Sequence, residues 1–339
     1  MDYTTNNKDN NSWVWTLTMT IIIFIVVILI IIIGISWWVS YWIVFYPSRK
    51  MIWYPEHDNI PYRNIYIPTN SHLTHRYYEG EDYKPNEECI NVWYFDKFKG
   101  QHRRGHQPAT ILYFHGNSGN ISHRRYVVDI CKRFGMNLLL VDYCGYGDSD
   151  GTVNPHHLYR DGALAYDFLA SQESHHDIIV WGESLGGTVA TYVATNYPCK
   201  LLILLATFSS LTDVLIESGY PSAACMVINF MAKILFHPME SKNYIIKIKC
   251  PVAIMHSTDD TLIPYQCGKI LYNSIKHTKK VFITIKGDHA QPKISNQKLR
   301  QLLAFANIQV EDKLDEVEAV RRNLEEITKN NPGLVPEEL

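Results

Sequence analysis

The chain begins with a long apolar stretch. No Asp, Glu, Lys or Arg lies between Asp9 and Arg49, and isoleucine, valine and aromatic residues dominate residues 17–45. About 20 apolar residues cross the hydrocarbon core of a bilayer, so residues 17–45 predict one transmembrane helix after an N-terminal polar segment, residues 1–16. Tryptophan and tyrosine cluster near both ends of this stretch, as they do at the interfaces of membrane proteins. A cleaved signal peptide fits poorly, because the apolar region is too long and no small-x-small cleavage site follows it.

Short apolar strands alternate with helical segments across residues 46–307. The predicted strands cover residues 64–67, 89–95, 110–114, 137–142, 177–181, 201–206, 250–255 and 281–285. Continuous apolar runs such as residues 138–141 are typical of parallel strands that are buried on both faces. The alternation predicts one α/β domain with a mostly parallel, doubly wound sheet. The short connection after residue 45 predicts that this domain lies close to the bilayer.

Two segments depart from this alternation. Residues 208–248 separate two predicted strands and contain the apolar run 222–236. They predict a short cap insertion, whose apolar helix lines an acyl pocket, touches a bilayer or packs only on the core. Residues 308–339 carry apolar positions at helical spacing among many charges, which predicts a charged C-terminal helix. That helix packs back on the domain or binds a protein partner.

A Gly-x-Ser-x-Gly pentapeptide, Gly182-Glu183-Ser184-Leu185-Gly186, follows one predicted strand and precedes a helical segment. A tight turn between a strand and a helix lifts a serine above the sheet, where it can act as a nucleophile. The pentapeptide alone is a weak signal, because a chance glycine-serine turn also matches it. Three further features, in a fixed order along the chain, favour the nucleophile.

The first feature is a loop of small residues, His115-Gly116-Asn117-Ser118-Gly119-Asn120, which follows the strand at 110–114. Such a loop presents backbone N–H groups to the oxyanion that forms during acyl transfer. We assign one oxyanion donor to the amide of Asn117. The second donor is the amide of Leu185, directly after the serine.

The other two features are an acid and a histidine. Asp259 and Asp260 follow the strand at 250–255 and compete for the role of the carboxylate that orients a histidine. His289 follows the strand at 281–285, and this position distinguishes it among 15 histidines. The order Ser184, aspartate, His289 is the order expected of an α/β hydrolase.

Together these motifs resemble those of membrane-anchored α/β hydrolases. The most similar group is that of alpha/beta hydrolase domain-containing protein 13 and its relatives. These relatives include the protein depalmitoylases of the alpha/beta hydrolase domain-containing protein 17 group. The resemblance extends from about residue 45 to about residue 305 and rests on residues 115–120, 141–151, 182–187, 260–264 and 289. It implies the α/β hydrolase fold, selects Asp260 as the triad acid and leaves Asp259 as a neighbour that shapes the loop. The motifs are specific for the family and not for a substrate.

The chain departs from the family pattern in one turn, Asp142-Tyr143-Cys144-Gly145-Tyr146-Gly147. The family has arginine where this chain has Cys144, and a thiol cannot replace a guanidinium in an ion pair. The ion pairing of this turn is therefore in doubt. We expect Cys144 to be a small buried residue, because no neighbour in the sequence would lower its pKa.

Charge and cysteine content bear on orientation and partners. The formal net charge of −2 gives no reason to expect nucleic-acid binding. Arg49 and Lys50 outweigh Lys8, so the positive-inside rule places the catalytic domain in the cytoplasm. Seven cysteines without metal or redox spacing and the glycosylation sequon at Asn120, inside the candidate oxyanion loop, favour the same side. The family resemblance implies the opposite side, outside the cell or in a lumen, so both orientations stay open.

The sequence thus predicts a membrane-anchored serine hydrolase that cleaves carboxylic esters or thioesters of lipids or S-acylated proteins. Ser184, Asp260 and His289 form the predicted triad, which acts through an acyl-enzyme intermediate and needs no metal or organic cofactor. The predicted partners are the lipid bilayer and an acyl ester or thioester substrate. A serine peptidase on the same fold and a catalytically silent membrane-bound binding scaffold are the alternatives.

Overall fold

A computed structural model of the chain describes residues 12–70, 76–80, 87–96, 98, 109–221 and 239–308. The apolar run at 222–236, most of the predicted charged tail and the first residues of the polar segment lie outside this description. The chain divides into two units, Met1–Tyr46 and Pro47–Leu339. The first unit contains one helix, and the second contains the sheet.

The helix of the first unit, α1, extends over Ser12–Val44 and so begins before the predicted start at residue 17. Its segment Trp13–Ile32 is long and apolar enough to cross a membrane, and its side chains are exposed. The hydroxyls of Thr18 and Thr20 each donate to the carbonyl four residues earlier, at 2.8 Å. Both hydroxyls are therefore satisfied within the helix, as a lipid environment requires.

The second unit is built on a nine-stranded sheet, in the order β11-β10-β9-β8-β5-β7-β4-β2-β3. The strands of the described chain are β1 (Tyr46–Pro47), β2 (Arg63–Pro68), β3 (Tyr78–Glu79), β4 (Cys89–Phe95), β5 (Thr110–Phe114), β6 (Ser118–Gly119), β7 (Asn137–Val141), β8 (Ile178–Glu183), β9 (Leu201–Leu205), β10 (Val252–Ser257) and β11 (Lys280–Ile285). From β11 to β7 the neighbours are parallel, whereas β4, β2 and β3 add antiparallel pairs at the other edge. The predicted mostly parallel sheet is confirmed.

Helices cover both faces of this sheet. They are α2 (Arg125–Arg133), α3 (Pro155–Gln172), α4 (Gly186–Asn196), α5 (Leu211–Glu217), α6 (Ser241–Ile245), α7 (Tyr265–Ser274) and α8 (Asn296–Phe305). Short 3-10 helices occupy Pro55–Asp58, Ile121–His123 and His175–Asp177. Side chains of β5 point to both faces of the sheet. On one face, Ile111 packs in the cluster that includes Val127 of α2 and Leu299 of α8. On the other face, Phe114 lies against α3 at Gly162.

The strand boundaries differ from the prediction where backbone groups decide them. The predicted strand at 250–255 begins instead at Val252, because Pro251 has no N–H and uses its carbonyl to accept from the amide of Leu202 at 3.0 Å. The predicted strand at 177–181 continues to Glu183, directly before the candidate nucleophile. The sheet therefore carries the chain to the edge at which the predicted site residues meet.

Candidate active site

Ser184 occupies the turn between β8 and α4. Its φ of 52° lies in the left-handed region, which residues other than glycine seldom adopt. Two bonds from the end of β9 hold it there: its amide donates to the carbonyl of Leu205 at 2.9 Å, and the hydroxyl of Thr207 donates to its carbonyl at 2.6 Å. The neighbouring strand thus stabilises the strained backbone that exposes this side chain.

The glycines around Ser184 are required by close packing. A Cβ atom on Gly182 would clash with the carbonyl oxygen of Gly186, and one on Gly186 would clash with the carbonyl oxygen of Phe114. The chain can therefore turn directly from strand to helix only with hydrogen at these positions. This accounts for the spacing of the pentapeptide.

The structure brings Ser184, Asp260 and His289 together in a continuous hydrogen-bonded line. Nε2 of His289 is 2.9 Å from Oγ of Ser184, and Nδ1 is 2.8 Å from Oδ2 of Asp260. Because an ionised carboxylate only accepts, Nδ1 carries the proton and Nε2 is left to accept from the serine hydroxyl. This geometry allows the imidazole to take a proton from the serine as the serine attacks a carbonyl carbon.

The carboxylate of Asp260 has no exposed surface and is held from several sides. Its Oδ1 atom accepts from the amides of Leu262 at 3.0 Å and Ile263 at 2.8 Å. Burial acts to raise the pKa of Asp260, but hydrogen bonds from His256, His289 and the backbone outweigh it and lower this pKa below its ordinary value. Asp260 is therefore a fixed anion at neutral pH.

Asp259, the competing acid, points elsewhere. Its carboxylate is about half exposed, lies 3.1 Å from Nζ of Lys286 and accepts from the amide of Gly287 at 3.3 Å. The hydrogen bond from Lys286 is the main reason that the pKa of Asp259 is lowered. These contacts tie the loop after β10 to the loop after β11.

His256, near the end of β10, is a neighbour of Asp260 that the sequence analysis did not single out. The fully buried ring places Nε2 2.9 Å from the carbonyl oxygen of Ile263 and 3.5 Å from Oδ2 of Asp260. A carbonyl only accepts, so Nε2 carries a hydrogen, while Nδ1 lacks a partner among the described residues and packs against Gly268. A histidine within an otherwise apolar strand, four residues before the acid, was the available signal.

The candidate oxyanion loop lies directly against the nucleophile. A Cβ atom added to Gly116 would lie 3.3 Å from Cβ of Ser184. The hydroxyl of Tyr143 donates to the carbonyl of His115 at 3.0 Å, and that of Tyr146 donates to the carbonyl of Asn117 at 2.9 Å. Two tyrosines thus hold the carbonyl groups of the residues before and after Gly116.

The second candidate donor, Leu185, is the N-cap residue of α4. Backbone N–H groups at a helix N-terminus favour negative charge. Leu185 follows Ser184 and is almost fully buried, so its amide lies at the positive end of the helix beside the nucleophile. The roles of the Asn117 and Leu185 amides remain predictions.

Glu183, the residue before the nucleophile, forms a second polar cluster. Its Oε2 atom accepts from the hydroxyl of Tyr113 on β5 and from that of Tyr126 on α2. Burial is the largest cause that raises the pKa of both tyrosines, so each stays a protonated donor. The cluster ties the turn at Ser184 to the strand and the helix on either side of the oxyanion loop.

Cys144 is fully buried, as expected from the sequence. Its Sγ atom is 2.8 Å from Nη2 of Arg160, which also lies 2.9 Å from Oδ1 of Asp161. Burial and Asp161 raise the pKa of the Cys144 thiol. Helix α3 therefore supplies a guanidinium, that of Arg160, beside the position where the family carries its arginine. This turn thus has a neighbouring ion pair, between Arg160 and Asp161, although Cys144 replaces the arginine.

Contrary to the expectation from the sequence, the glycosylation sequon at Asn120 does not indicate the orientation of the domain. Asn120 has no exposed surface, and its Nδ2 atom donates to the carbonyls of Ser48 and Lys50, at 2.9 Å each. A glycan on this nitrogen is incompatible with the folded domain on either side of a membrane. A bare Asn120 therefore carries no information about the compartment.

Comparisons with known proteins give the same fold. The chain is 18% identical to the Pyrococcus furiosus esterase Pf2001, with a TM-score of 0.53 over 73% of this chain and 90% of that one. An alpha-beta hydrolase from Vibrio vulnificus gives a TM-score of 0.54 at 16% identity, over 74% of this chain and 82% of that one. At these identities the likeness shows the fold alone.

The proteins with similar sequences include named hydrolases. The family profile described as "Serine aminopeptidase, S33" (Hydrolase_4) matches residues 105–245. The lysophosphatidylserine lipase ABHD12 of Danio rerio is 28% identical over 56% of this chain and 51% of its own length. The alpha/beta hydrolase domain-containing protein WAV2 of Arabidopsis thaliana is 32% identical over 54% of this chain and 61% of its own length. The chain thus covers about half to three fifths of the length of these relatives.

The parallel sheet, the serine turn after β8 and the order of the site residues are those of the α/β hydrolase fold. The chain has this fold, and over part of its length its sequence is similar to those of α/β hydrolases.

Proposed function

We propose that the protein is a membrane-anchored serine hydrolase that cleaves carboxylic esters or thioesters. The observation that carries the proposal is the position of His289, between Ser184 Oγ at 2.9 Å and Asp260 Oδ2 at 2.8 Å. Serine and histidine at this distance, with a carboxylate on the far nitrogen, are the groups that acyl transfer requires. The relative named as a lipase supports this reaction class.

The reaction proceeds in two halves. Ser184 Oγ attacks the acyl carbon while His289 Nε2 takes its proton, and the imidazolium is stabilised by Asp260. His289 then gives this proton to the departing alcohol or thiol, which leaves the acyl group on Ser184. Water, deprotonated by His289, attacks the acyl-enzyme, and the carboxylic acid is released as His289 returns the proton to Oγ of Ser184. The amides of Asn117 and Leu185 stabilise the oxyanion in both halves.

The proposed substrates are medium or long acyl esters and thioesters in or near a membrane. The relatives named lysophosphatidylserine lipases support a lipid ester. The anchor α1 supports the same class, because substrates in the bilayer gain local concentration without additional contacts. Each methylene that enters an apolar pocket adds about 0.8 kcal/mol. The predicted pocket wall at 222–236 lies outside the described residues.

Two measurements test the reaction class and the substrate class. The full chain, in detergent or lipid nanodiscs, is labelled with a fluorophosphonate probe, and turnover is measured on p-nitrophenyl esters and acyl thioesters of rising chain length. We expect labelling at Ser184 and the highest kcat/KM for medium or long chains, weakened by Met226→Asp or Phe230→Asp. Absence of labelling contradicts the serine mechanism, whereas a preference for acetyl esters contradicts only the acyl pocket.

A serine peptidase is the second candidate. The description of the matching profile, "Serine aminopeptidase, S33", favours it. Peptide amides with a free amino terminus, assayed beside the ester series, separate the two activities. A higher kcat/KM for the amides would replace the ester proposal. The scaffold alternative is separated by the labelling itself, because a silent binding domain does not react with the probe.

We also propose that the catalytic domain faces the cytosol. Arg49 and Lys50 after the apolar stretch outweigh Lys8 before it. In selectively permeabilised cells, a tag placed after residue 308 is expected to be accessible once the plasma membrane alone is opened. Protection of the tag until all membranes are dissolved would place the domain in a lumen. This experiment does not rely on glycosylation.

A further inference from the structure

Cys199 and Cys250 lie at the amino ends of two neighbouring parallel strands. Cys199 precedes β9 and Cys250 precedes β10, and the strands pair with Leu202 opposite Val252. The two Sγ atoms are 3.3 Å apart although the residues are 51 positions apart in the sequence. The pair is therefore not evident from the sequence spacing of the cysteines.

The pair differs from the other described cysteines in its access to solvent. Cys199 and Cys250 are partly exposed, whereas four further cysteines of the described chain are buried: Cys89, Cys131, Cys144 and Cys267. Buried thiols react slowly because reagents do not reach them. Among the described cysteines, the pair at 199 and 250 is thus the place where an oxidant meets two adjacent thiols.

We propose that Cys199 and Cys250 form an intramolecular disulfide when the protein meets a low-molecular-weight disulfide such as oxidised glutathione. One thiolate attacks the glutathione disulfide, forms a mixed disulfide and releases one glutathione thiol. The second cysteine thiolate then attacks the protein sulfur of the mixed disulfide and releases the second glutathione. Two protein thiols are oxidised, one glutathione disulfide is reduced, and the two thiol protons end on the two released glutathiones.

The bond forms with both strands in place. Sulfurs in a disulfide are about 2.05 Å apart, so side-chain rotation has to bring Sγ of Cys199 and Sγ of Cys250 closer by roughly 1.2 Å. The backbones are already fixed, because the amide of Leu202 donates to the carbonyl of Pro251 at 3.0 Å. In a reducing cytosol the glutathione pool keeps the thiols free, and under oxidising conditions they close.

The expected consequence is higher stability without a change in the active site. The disulfide joins the amino ends of β9 and β10, whereas Leu205 supports Ser184 and Asp260 orients His289 at their carboxyl ends. The bond closes a loop that contains β9, α5, α6 and the predicted cap insertion. Closing a loop of this length restricts the unfolded chain, which raises the melting temperature by roughly 5–10 °C.

The experiment uses the full chain with Cys225→Ser, which removes the one cysteine outside the described residues. The reduced protein is incubated with oxidised glutathione in mildly alkaline buffer, free thiols are blocked with N-ethylmaleimide, and the digest is analysed by mass spectrometry. We expect a peptide that links residues 199 and 250, the loss of two titratable thiols in denaturant, and a higher melting temperature that dithiothreitol reverses.

The matched variants are Cys199→Ser, Cys250→Ser and, as a control, Cys267→Ser. The first two are expected to lose both the linked peptide and the shift in melting temperature, and the control to keep both. Stable glutathione adducts without closure, a link between other cysteines, or no reaction in the Cys225→Ser protein would overturn the proposal. The linked peptide is first sought in the Cys225→Ser protein itself, so this measurement does not require that any further variant folds. None of these outcomes depends on the proposed hydrolase activity.

Discussion

His256 lies behind Asp260, with its Nε2 atom 3.5 Å from Oδ2 of that carboxylate. The same nitrogen donates to the carbonyl of Ile263 at 2.9 Å, and the amide of Ile263 donates to Oδ1 of Asp260 at 2.8 Å. The buried imidazole of His256 therefore contacts both the acid and the turn that carries it. His256 acts through Asp260 and is a positioning residue for His289.

The first prediction concerns this positioning. His256→Phe keeps an aromatic ring but removes the N–H donor. Asp260 therefore loses one polar contact, and the hydrogen-bonded series from Asp260 through His289 to Ser184 is less well aligned. We expect kcat on a p-nitrophenyl ester to fall between about tenfold and a hundredfold, with KM changed by less than about twofold. His256→Gln, which restores an N–H donor, is expected to recover part of kcat. Equal losses in both variants, or a change confined to KM, would contradict a positioning role.

The second prediction is that Ser184→Ala abolishes fluorophosphonate labelling and esterase turnover. Only binding and oxyanion effects remain without the nucleophile, so turnover falls by several orders of magnitude. Circular dichroism and the melting temperature are expected to stay close to those of the parent protein. Ser171→Ala on α3 is a matched control that keeps labelling. Undiminished turnover by Ser184→Ala would remove this residue from the mechanism.

The third prediction separates the two adjacent acids. Asp260→Asn removes the anion that selects the histidine tautomer, and a loss of about ten-thousandfold in kcat is expected by comparison with a similar triad. Asp259→Asn removes an exposed contact with Lys286 and is expected to change kcat by less than about threefold. Both variants are assayed on the same ester. The reverse ranking would assign the acid to Asp259.

The fourth prediction is a pH dependence of stability that traces to Asp260. Since the folded-state pKa of Asp260 is lowered, its ionised form stabilises the folded state at all pH values above the unfolded value, about 3.9. This contribution is lost as the pH falls through the lower folded value. Urea unfolding of the parent protein and of Asp260→Asn is expected to show a stability difference that is constant near neutral pH and shrinks in strong acid. A difference that grows below pH 4 would contradict the lowered pKa.

The fifth prediction concerns Asn120. Asn120→Asp keeps the shape of the side chain but replaces the donor to the carbonyls of Ser48 and Lys50 with a buried anion. We expect the free energy of unfolding to fall by at least about 2 kcal/mol. Ser118→Ala, an exposed change in the same loop, is the control and is expected to be neutral. A stable Asn120→Asp protein would show that these bonds do not anchor the loop.

Local patterns were sufficient to predict the α/β fold, because the strands are continuous apolar runs and Ser184 follows one of them. The proximity of Asp260 and His289 follows from the parallel sheet, which brings the ends of distant strands to one edge. Glu183 and the Cys199–Cys250 pair could not be singled out, since their partners come from other elements of the fold, whereas His256 carried a local signal as a histidine within an apolar run four residues before the acid. The start of β10 was predicted too early because hydrophobicity does not register that Pro251 lacks an N–H.

Arg49 contributes to membrane topology before the domain folds and to hydrogen bonding after it has folded. While the chain is being inserted, its charge counts in the distribution of positive residues around the apolar stretch. After folding, its guanidinium donates to the carbonyls of Ser149 at 2.7 Å and Gly151 at 3.1 Å. A change that removes the charge at this position therefore alters both the insertion signal and these carbonyl contacts. Lys50 has an exposed side chain, so neutralising it probes the topology signal while leaving those carbonyl contacts in place.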